Sequence, residues 1–213
     1  SYTFPLALAG LAIGLAISVP LAILATRAPA GWIDRFAVAL ASLGAAIPAY
    51  WLGLLLILLF AVYLGWLPAM GASTPAHIIL PALTLGLGVA ASLTRIIRSG
   101  ILEARGRTFL PALRRRGVSD RAIGRDHVAP HAAIPVVTVF GLELAFLLEG
   151  AVMVEVIFGR PGLGSFLVAA IEARDFPKVQ AVVLLAATLF VVVNLAIDVI
   201  YRLIDPRIGA HDA

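Results

Sequence analysis

The sequence predicts an all-α membrane protein of about five transmembrane helices, with one large basic loop between two of them. Three observations carry that reading. Hydrophobic residues make up 62% of the 213-residue chain and charged residues only 13%, with a mean hydropathy of +1.04; a soluble domain carries roughly 25% charged residues. Several apolar runs are long enough for a bilayer crossing, which takes about 20 helical residues. The charge is also concentrated, with nine of the sixteen Lys and Arg residues between Arg95 and Pro135.

The first span, about residues 4–25, is rich in small residues, and Gly10-x-x-x-Gly14 puts two of them on one helix face for close approach in lipid. It has neither a basic leader nor a small-residue cleavage site, so it reads as a span and not as a cleavable leader. Pro20 is expected to kink it near one end. Arg27 and Arg35 mark the turn after it as cytoplasmic. The second span, about 36–64, is longer than one straight crossing needs, and Pro48 predicts a kink or break within it. The connector GWLPAMGASTPAH has no Lys or Arg and is placed outside, with Trp66 as an interfacial anchor and His77 as a solvated loop residue. The third span, about 78–97, gives way abruptly to the basic loop.

That loop, 98–135, reads as helix, break, helix, break. Thr108 and Ser119 can cap two short helices, Pro111 is tolerated in a first turn, and Gly117 can take the left-handed conformation that ends a helix. Pro130 and Pro135 punctuate the return to a fourth span, about 136–156. The segment 157–178 is too polar and too broken by Gly and Pro for a simple crossing; its apolar core FLVAAI suggests a short re-entrant or interfacial helix on the outer side. The last span, about 181–204, leads to the C-terminal tail, 209–213. Five crossings with a cytoplasmic end put the N-terminus outside, so at least one earlier span is expected to precede residue 1.

Composition also excludes function classes. The net charge of +4 sits mostly in the loop, where the positive-inside rule accounts for it, and not on a basic, aromatic-lined face suited to nucleic acid. There is no cysteine, hence no disulfide and no Cys-based metal site, and no metal site is expected. No G-x-x-x-x-G-K-[ST] phosphate loop is present, so the chain has no such means of holding ATP. The histidines, at 77, 127, 131 and 211, fall in loops or tails, which disfavours an intramembrane enzyme with clustered catalytic groups. A secondary transporter, with broken helices and midplane acids, is the other alternative.

Glu143, Glu149 and Glu155 lie in or at the ends of the fourth span. An ionised acid at mid-bilayer costs about 2.5–3.5 kcal/mol, so such groups face a cavity or a partner. Six-residue spacing rotates each by about 240° from the last, which argues against a single three-acid site. Glu149, the deepest, is a candidate cavity acid for a cationic group. Asp198 and Arg202, spaced i, i+4 on the last span, read as a structural ion pair.

The stretch LRRRGVSDRAIGRDHVAPHAAIPVVTV resembles the EAA loop of ATP-binding-cassette importer permeases of the dipeptide, oligopeptide and nickel family. Arg116 and Gly117 match the basic residue and glycine of A-R-A-K-G-L. Asp126-His127 stands at the Arg-His of that pattern, and Ile134-Pro135-Val136-Val137-Thr138 matches its I-P-V-V-T. EGAVMVEVIFGRPGLGS resembles the family's G-A-V-V-V-E-x-V-F-x-x-P-G-L-G block, carrying Glu155, Pro161, Gly162 and Gly164. The tail NLAIDVIYRLIDPRI, with Asp198, is similar to N-L-x-V-D-x-x-Y-x-x-x-D-P-R. Pro111 replaces the acid of the EAA signature, Ala112 keeps an alanine and Leu113 replaces its second alanine. His131 stands where Asn is usual, and Glu143 and Glu149 stand where Gln and Gly are more common.

The resemblance implies a type I importer permease fold over residues 1–208. The P-G-L-G block implies the first of two permease subunits, lacking the family's first helix. It further implies a non-catalytic subunit in the bacterial inner membrane, importing peptides or a related small solute, nickel included. Its implied partners are a second permease subunit, two cytoplasmic ATPase subunits that hold ATP and Mg, an extracytoplasmic substrate-binding protein and membrane lipid. The coupling-loop residues carried over are Pro111, Ala112, Arg116, Gly117, His127, Ile134 and Pro135.

Overall fold

The structure, a computed structural model, describes residues 2–107 and 110–204; within these, side chains are described except at 114, at most positions of 133–149 and at 196–204. Described secondary structure is helical throughout. It comprises α1 (Thr3–Ala25), α2 (Trp32–Ala46), α3 (Ala49–Leu56), α4 (Ile79–Arg105), α5 (Leu110–Arg115), α6 (Asp120–Ile123), α7 (Ala129–Ile157), α8 (Leu163–Glu172) and α9 (Phe176–Ile204). Among the described residues three helices are long and apolar enough to cross a membrane, or four if α2 and α3 with its extension count as one broken span. α7 has 29 residues, roughly 43 Å at 1.5 Å per residue, which exceeds the hydrocarbon thickness. The chain divides into two compact units, one of residues 1–11, 49–85 and 141–213, the other of residues 12–48 and 86–140.

In the second unit, α1 and α2 pack on α4 through small residues. A Cβ at Gly14 would lie 2.5 Å from Val89 Cγ1, and one at Gly44 would lie 2.5 Å from Ala91 Cβ. Without a hydrophobic drive between helices in lipid, such close approach is what van der Waals packing needs. Gly14→Val is expected to destabilise the protein by about 1–3 kcal/mol, the usual cost of overpacking. Thermal unfolding of the purified protein checks this, with Val89→Ala partly restoring the loss. α2 turns Asp34, Ala37 and Ala41 inward, an i, i+3, i+7 stripe that continues to Gly44.

The second span breaks at the expected proline, and the third runs further than expected. The second is interrupted at Ile47-Pro48: Ile47 is extended (φ −84°, ψ 121°), because a residue before proline is forced out of the helical region. Beyond the break, α3 widens into a π-helix over Ile57–Tyr63. The third does not end near residue 97. α4 runs on through Gly100 to Arg105 because its apolar stripe continues through Ile97, Ile101 and Ala104, all buried.

In the first unit, Gly53 lies under Phe158 and Thr84, with Phe158 Cε2 3.2 Å from the position of a Cβ. The loop after the π-helix is fastened to the end of α7 by a hydrogen bond from Gly71 N to Phe158 O, 2.8 Å. α9 starts at Phe176, five residues before the expected span, because Asp175 caps it: Lys178 N donates to Asp175 Oδ1, 3.2 Å. The Lys178 ammonium, then its backbone N–H, hold the Asp175 carboxyl below the ordinary carboxylate range. The described face of α9 is almost wholly exposed apolar surface, with Val182 buried.

Candidate functional site

The basic loop opens with α5. Leu110 is 1% exposed and Leu113 half-buried, while Pro111, Ala112, Arg115 and Arg116 are exposed. One face therefore anchors the helix and the other is presented outward. Pro111 sits in the first turn, where its missing N–H breaks no intrahelical bond. Gly117 has φ +80° with nothing within 4 Å of where a Cβ would be, so backbone conformation and not space selects glycine there. Val118 N donates to Leu113 O, 3.2 Å, the long closing bond of a Schellman turn. Thr108, the expected cap, lies outside the described residues.

Ser119 is the N-cap of α6, its Oγ accepting from Ala122 N at 3.3 Å. Beyond α6 the expected break is missing. Gly124–Val128 form a π-helical turn in which Ala129 N donates to Gly124 O, and α7 follows without interruption through Pro130 and Pro135. Bonding of the i→i−5 type moves carbonyls off the i−4 register with which a proline ring clashes, so Pro130 is carried into the helix. The loop is thus one separate short helix followed by a stalk that becomes the fourth span, not two free helices.

His127 is half-buried on that π turn, and its carbonyl accepts from His131 Nδ1–H at 2.7 Å. Arg125 pairs with Asp126 in a fork, Nε to Oδ1 at 2.6 Å and Nη2 to Oδ2 at 3.1 Å. Arg125, chiefly through these hydrogen bonds, holds the Asp126 carboxyl below its ordinary range. The side chains of Ile134 and Pro135 lie outside the described residues.

Glu143 is buried, and the side chains of Glu149 and Asp198 lie outside the described residues. Glu155 is fully buried, and its Oε2 accepts from Gly164 N at 2.7 Å and Ser165 N at 3.3 Å. In this structure its carboxylate closes the N-terminus of α8, where a negative charge meets the positive end of the helix dipole, and not an open pathway. The remaining first-turn donors are also met: Leu163 N by Thr3 Oγ1 at 2.9 Å and Gly162 N by Ser165 Oγ at 2.9 Å. The glycines make room for this. A Cβ at Gly162 would lie 2.0 Å from the Glu155 carboxyl, and one at Gly164 would lie 2.3 Å from Val152 Cα.

Pro161 is exposed before this turn. Arg160 is 4% exposed; its Nη1 donates to His77 O at 2.9 Å and its guanidinium lies 5.7 Å from the centre of the Tyr2 ring. His77 lies on the short helical turn Pro75–Ile78. It is half-buried, it anchors Arg160, and its Nδ1 lies 2.7 Å from Thr74 Oγ1 in a local cap. Beside α8 an apolar groove of about 580 Å³ is walled by Val152, Leu163, Leu167, Val182, Ala186 and Phe190. It offers no charged group to a solute. Among the described residues no three His, Asp or Glu side chains are grouped to hold a metal ion.

One constellation had no local sequence signal. Asp34, only 4% exposed, receives both Arg98 Nε and Arg98 Nη2, the latter at 2.8 Å. Its Oδ2 also accepts from Ala30 N at 2.8 Å. Seven residues further along α4, Arg105 Nη1 donates to Thr26 O at the end of α1. Sequence separations of 64 and 79 hide both contacts; the one available hint was that all four residues edge apolar segments assigned to the same membrane side.

Residues 2–210 match the family described as binding-protein-dependent transport system inner membrane component. The chain is 42% identical over 195 residues to the glutathione transport system permease protein GsiC of Salmonella typhi, covering 92% of this chain and 62% of that protein. It is 44% identical over 177 residues to GsiC of Escherichia coli strain K12, covering 83% and 58%. The chain thus spans about three fifths of the length of these curated relatives. Among solved structures, an inward-facing MetNI methionine ABC transporter matches with a TM-score of 0.76 at 21% identity, over 95% of this chain and 92% of that one. An amino acid ABC transporter matches with a TM-score of 0.72 at 18% identity, over 94% and 90%.

Proposed function

Because the chain belongs to the family of binding-protein-dependent transport system inner membrane components, we propose that it is the permease subunit that lines the translocation path of an ATP-driven bacterial importer. It has the all-helical fold of type I ABC importer permeases and is a protein of the bacterial inner membrane. Its solute is a peptide or a related small molecule; relatives named as glutathione permeases support a short peptide. The subunit is non-catalytic. ATP and Mg belong to two cytoplasmic ATPase subunits, and a second permease and an extracytoplasmic binding protein complete the assembly.

The observation that carries the reading is the outward face of α5, Pro111, Ala112, Arg115 and Arg116, halted by Gly117 in a left-handed conformation. A short rigid helix presented in this way is a docking knob for the ATPase, and α7 receives its motion through the π turn at His127. Pull-down of the ATPase subunits by the chain is the test. Gly117→Val strains the turn by about 1–2 kcal/mol, the cost of a left-handed non-glycine residue, and is expected to weaken that capture and solute uptake together. Undiminished capture and uptake in Gly117→Val would remove the docking role of this turn. Glu149 and Glu143 are the proposed pathway acids, with Glu149 the one to meet a cationic group on the solute.

A further inference from the structure

Two arginines of α4, seven residues apart and so on one helical face, grip the two ends of the turn that joins α1 to α2. Arg105 holds the Thr26 carbonyl, and Arg98 forks onto the Asp34 carboxylate. A planar guanidinium paired in this way fixes orientation as well as distance. Between these ends the turn is itself set by Asp34: Ala30 has φ 63°, unusual for a residue with a side chain, and its N–H is bound by Asp34 Oδ2. All of these residues, together with α5 and α6, fall in one compact unit. Four residues, 106–109, separate the end of α4 from α5.

We propose that Asp34 and Arg98 are a positioning pair of the transport cycle: they make the turn at 26–34 follow α4, so that motion received at α5 is passed to α1 and α2 without slack. This rests on the reading of α5 as the ATPase-docking helix. Neither residue touches solute or nucleotide. Each acts through the turn.

The absence of natural cysteine makes the test direct. Spin labels at Ala28→Cys and Ser99→Cys, both exposed positions, are placed in the complete importer, and their separation is measured with and without ATP. With the native pair, one narrow distance unaffected by nucleotide is expected; Asp34→Asn should broaden it. Uptake of glutathione or short peptides gives the second readout. Asp34→Asn and Arg98→Gln should still capture the ATPases and hydrolyse ATP, while solute moved per ATP falls about tenfold, within the 5–150-fold range usual for coupling between sites. Arg98→Lys, which keeps the charge and loses the fork, should recover part of that loss.

A label distance that changes with nucleotide in the native background would overturn the proposal. So would an unchanged distance distribution in Asp34→Asn, or variants that lose ATPase capture and uptake in parallel with thermal stability. Failure of the reading beneath it looks different: the unvaried chain itself would not capture ATPase subunits, and the inference would fall with it.

Discussion

Gly164→Val is expected to remove α8 from its seat on α7. The added Cβ would lie 2.3 Å from Val152 Cα and 2.8 Å from Val152 Cβ. A backbone atom has no rotamer with which to yield, so the helices must separate or α8 must shift. Either movement lengthens the 2.7 Å bond from Gly164 N to Glu155. The overpacking cost is about 1–3 kcal/mol, to which a loosened buried hydrogen bond adds about 1 kcal/mol or more. At roughly 2–4 °C per kcal/mol for a chain of this size, loss of monodisperse protein on heating should begin some 5–10 °C earlier. Gly88→Ala is the matched control, because a Cβ there meets nothing within 4 Å; its expected effect is a small gain in helix propensity. Equal stability of the two variants would contradict the packing described for α7 and α8.

The second large effect is at Glu155. Glu155→Ala removes the acceptor of Gly164 N and Ser165 N in a buried site, at about 1–3 kcal/mol for each donor left unmet. Glu155→Gln retains an acceptor oxygen but gives up the charge at the helix N-terminus, worth about 0.3–1 kcal/mol and up to about 2 where partly buried. Stability should therefore fall in the order wild type, Gln, Ala. The sharper test is a cycle with Gly162. Its φ of −108° is open to any residue, and the three atoms nearest a Cβ there are those of the Glu155 carboxyl, from 2.0 Å. Gly162→Ala should be costly alone and nearly neutral in the Glu155→Ala background, a coupling of about 1–3 kcal/mol between contacting residues. Additive losses would mean that the carboxylate does not occupy the space above Gly162.

These two sites show how a motif read as a string acquires a mechanism. Glu155, Pro161, Gly162 and Gly164 could be matched to a family block, but the reason for their spacing is the contact of α7 with the start of α8. The acid closes the helix end, and each glycine vacates volume that the acid or the Val152 backbone fills. Gly117 and Ser119 are different. Their conformations depend on neighbours within a few residues, and local sequence is sufficient to read a left-handed turn and a cap. Pro130 and Pro135 went the other way. Proline predicts a break from local rules, and the π turn at Gly124–Val128, which those rules do not supply, carries the helix through Pro130.

By itself the sequence determined the membrane class, the basic loop with its glycine-ended helix and its Ser119 cap, and the family, because hydropathy, charge bias and short-range turn chemistry are written in neighbouring residues. Tertiary structure alone decided that α4 continues to Arg105, that Glu155 is consumed as a cap, that His77 anchors Arg160 and that Asp34 clasps Arg98. The last two rest on a buried polar group finding a partner 83 and 64 residues away, the first two on which helix faces their neighbours bury; all are set by the packing of helices, which no local stretch of residues encodes.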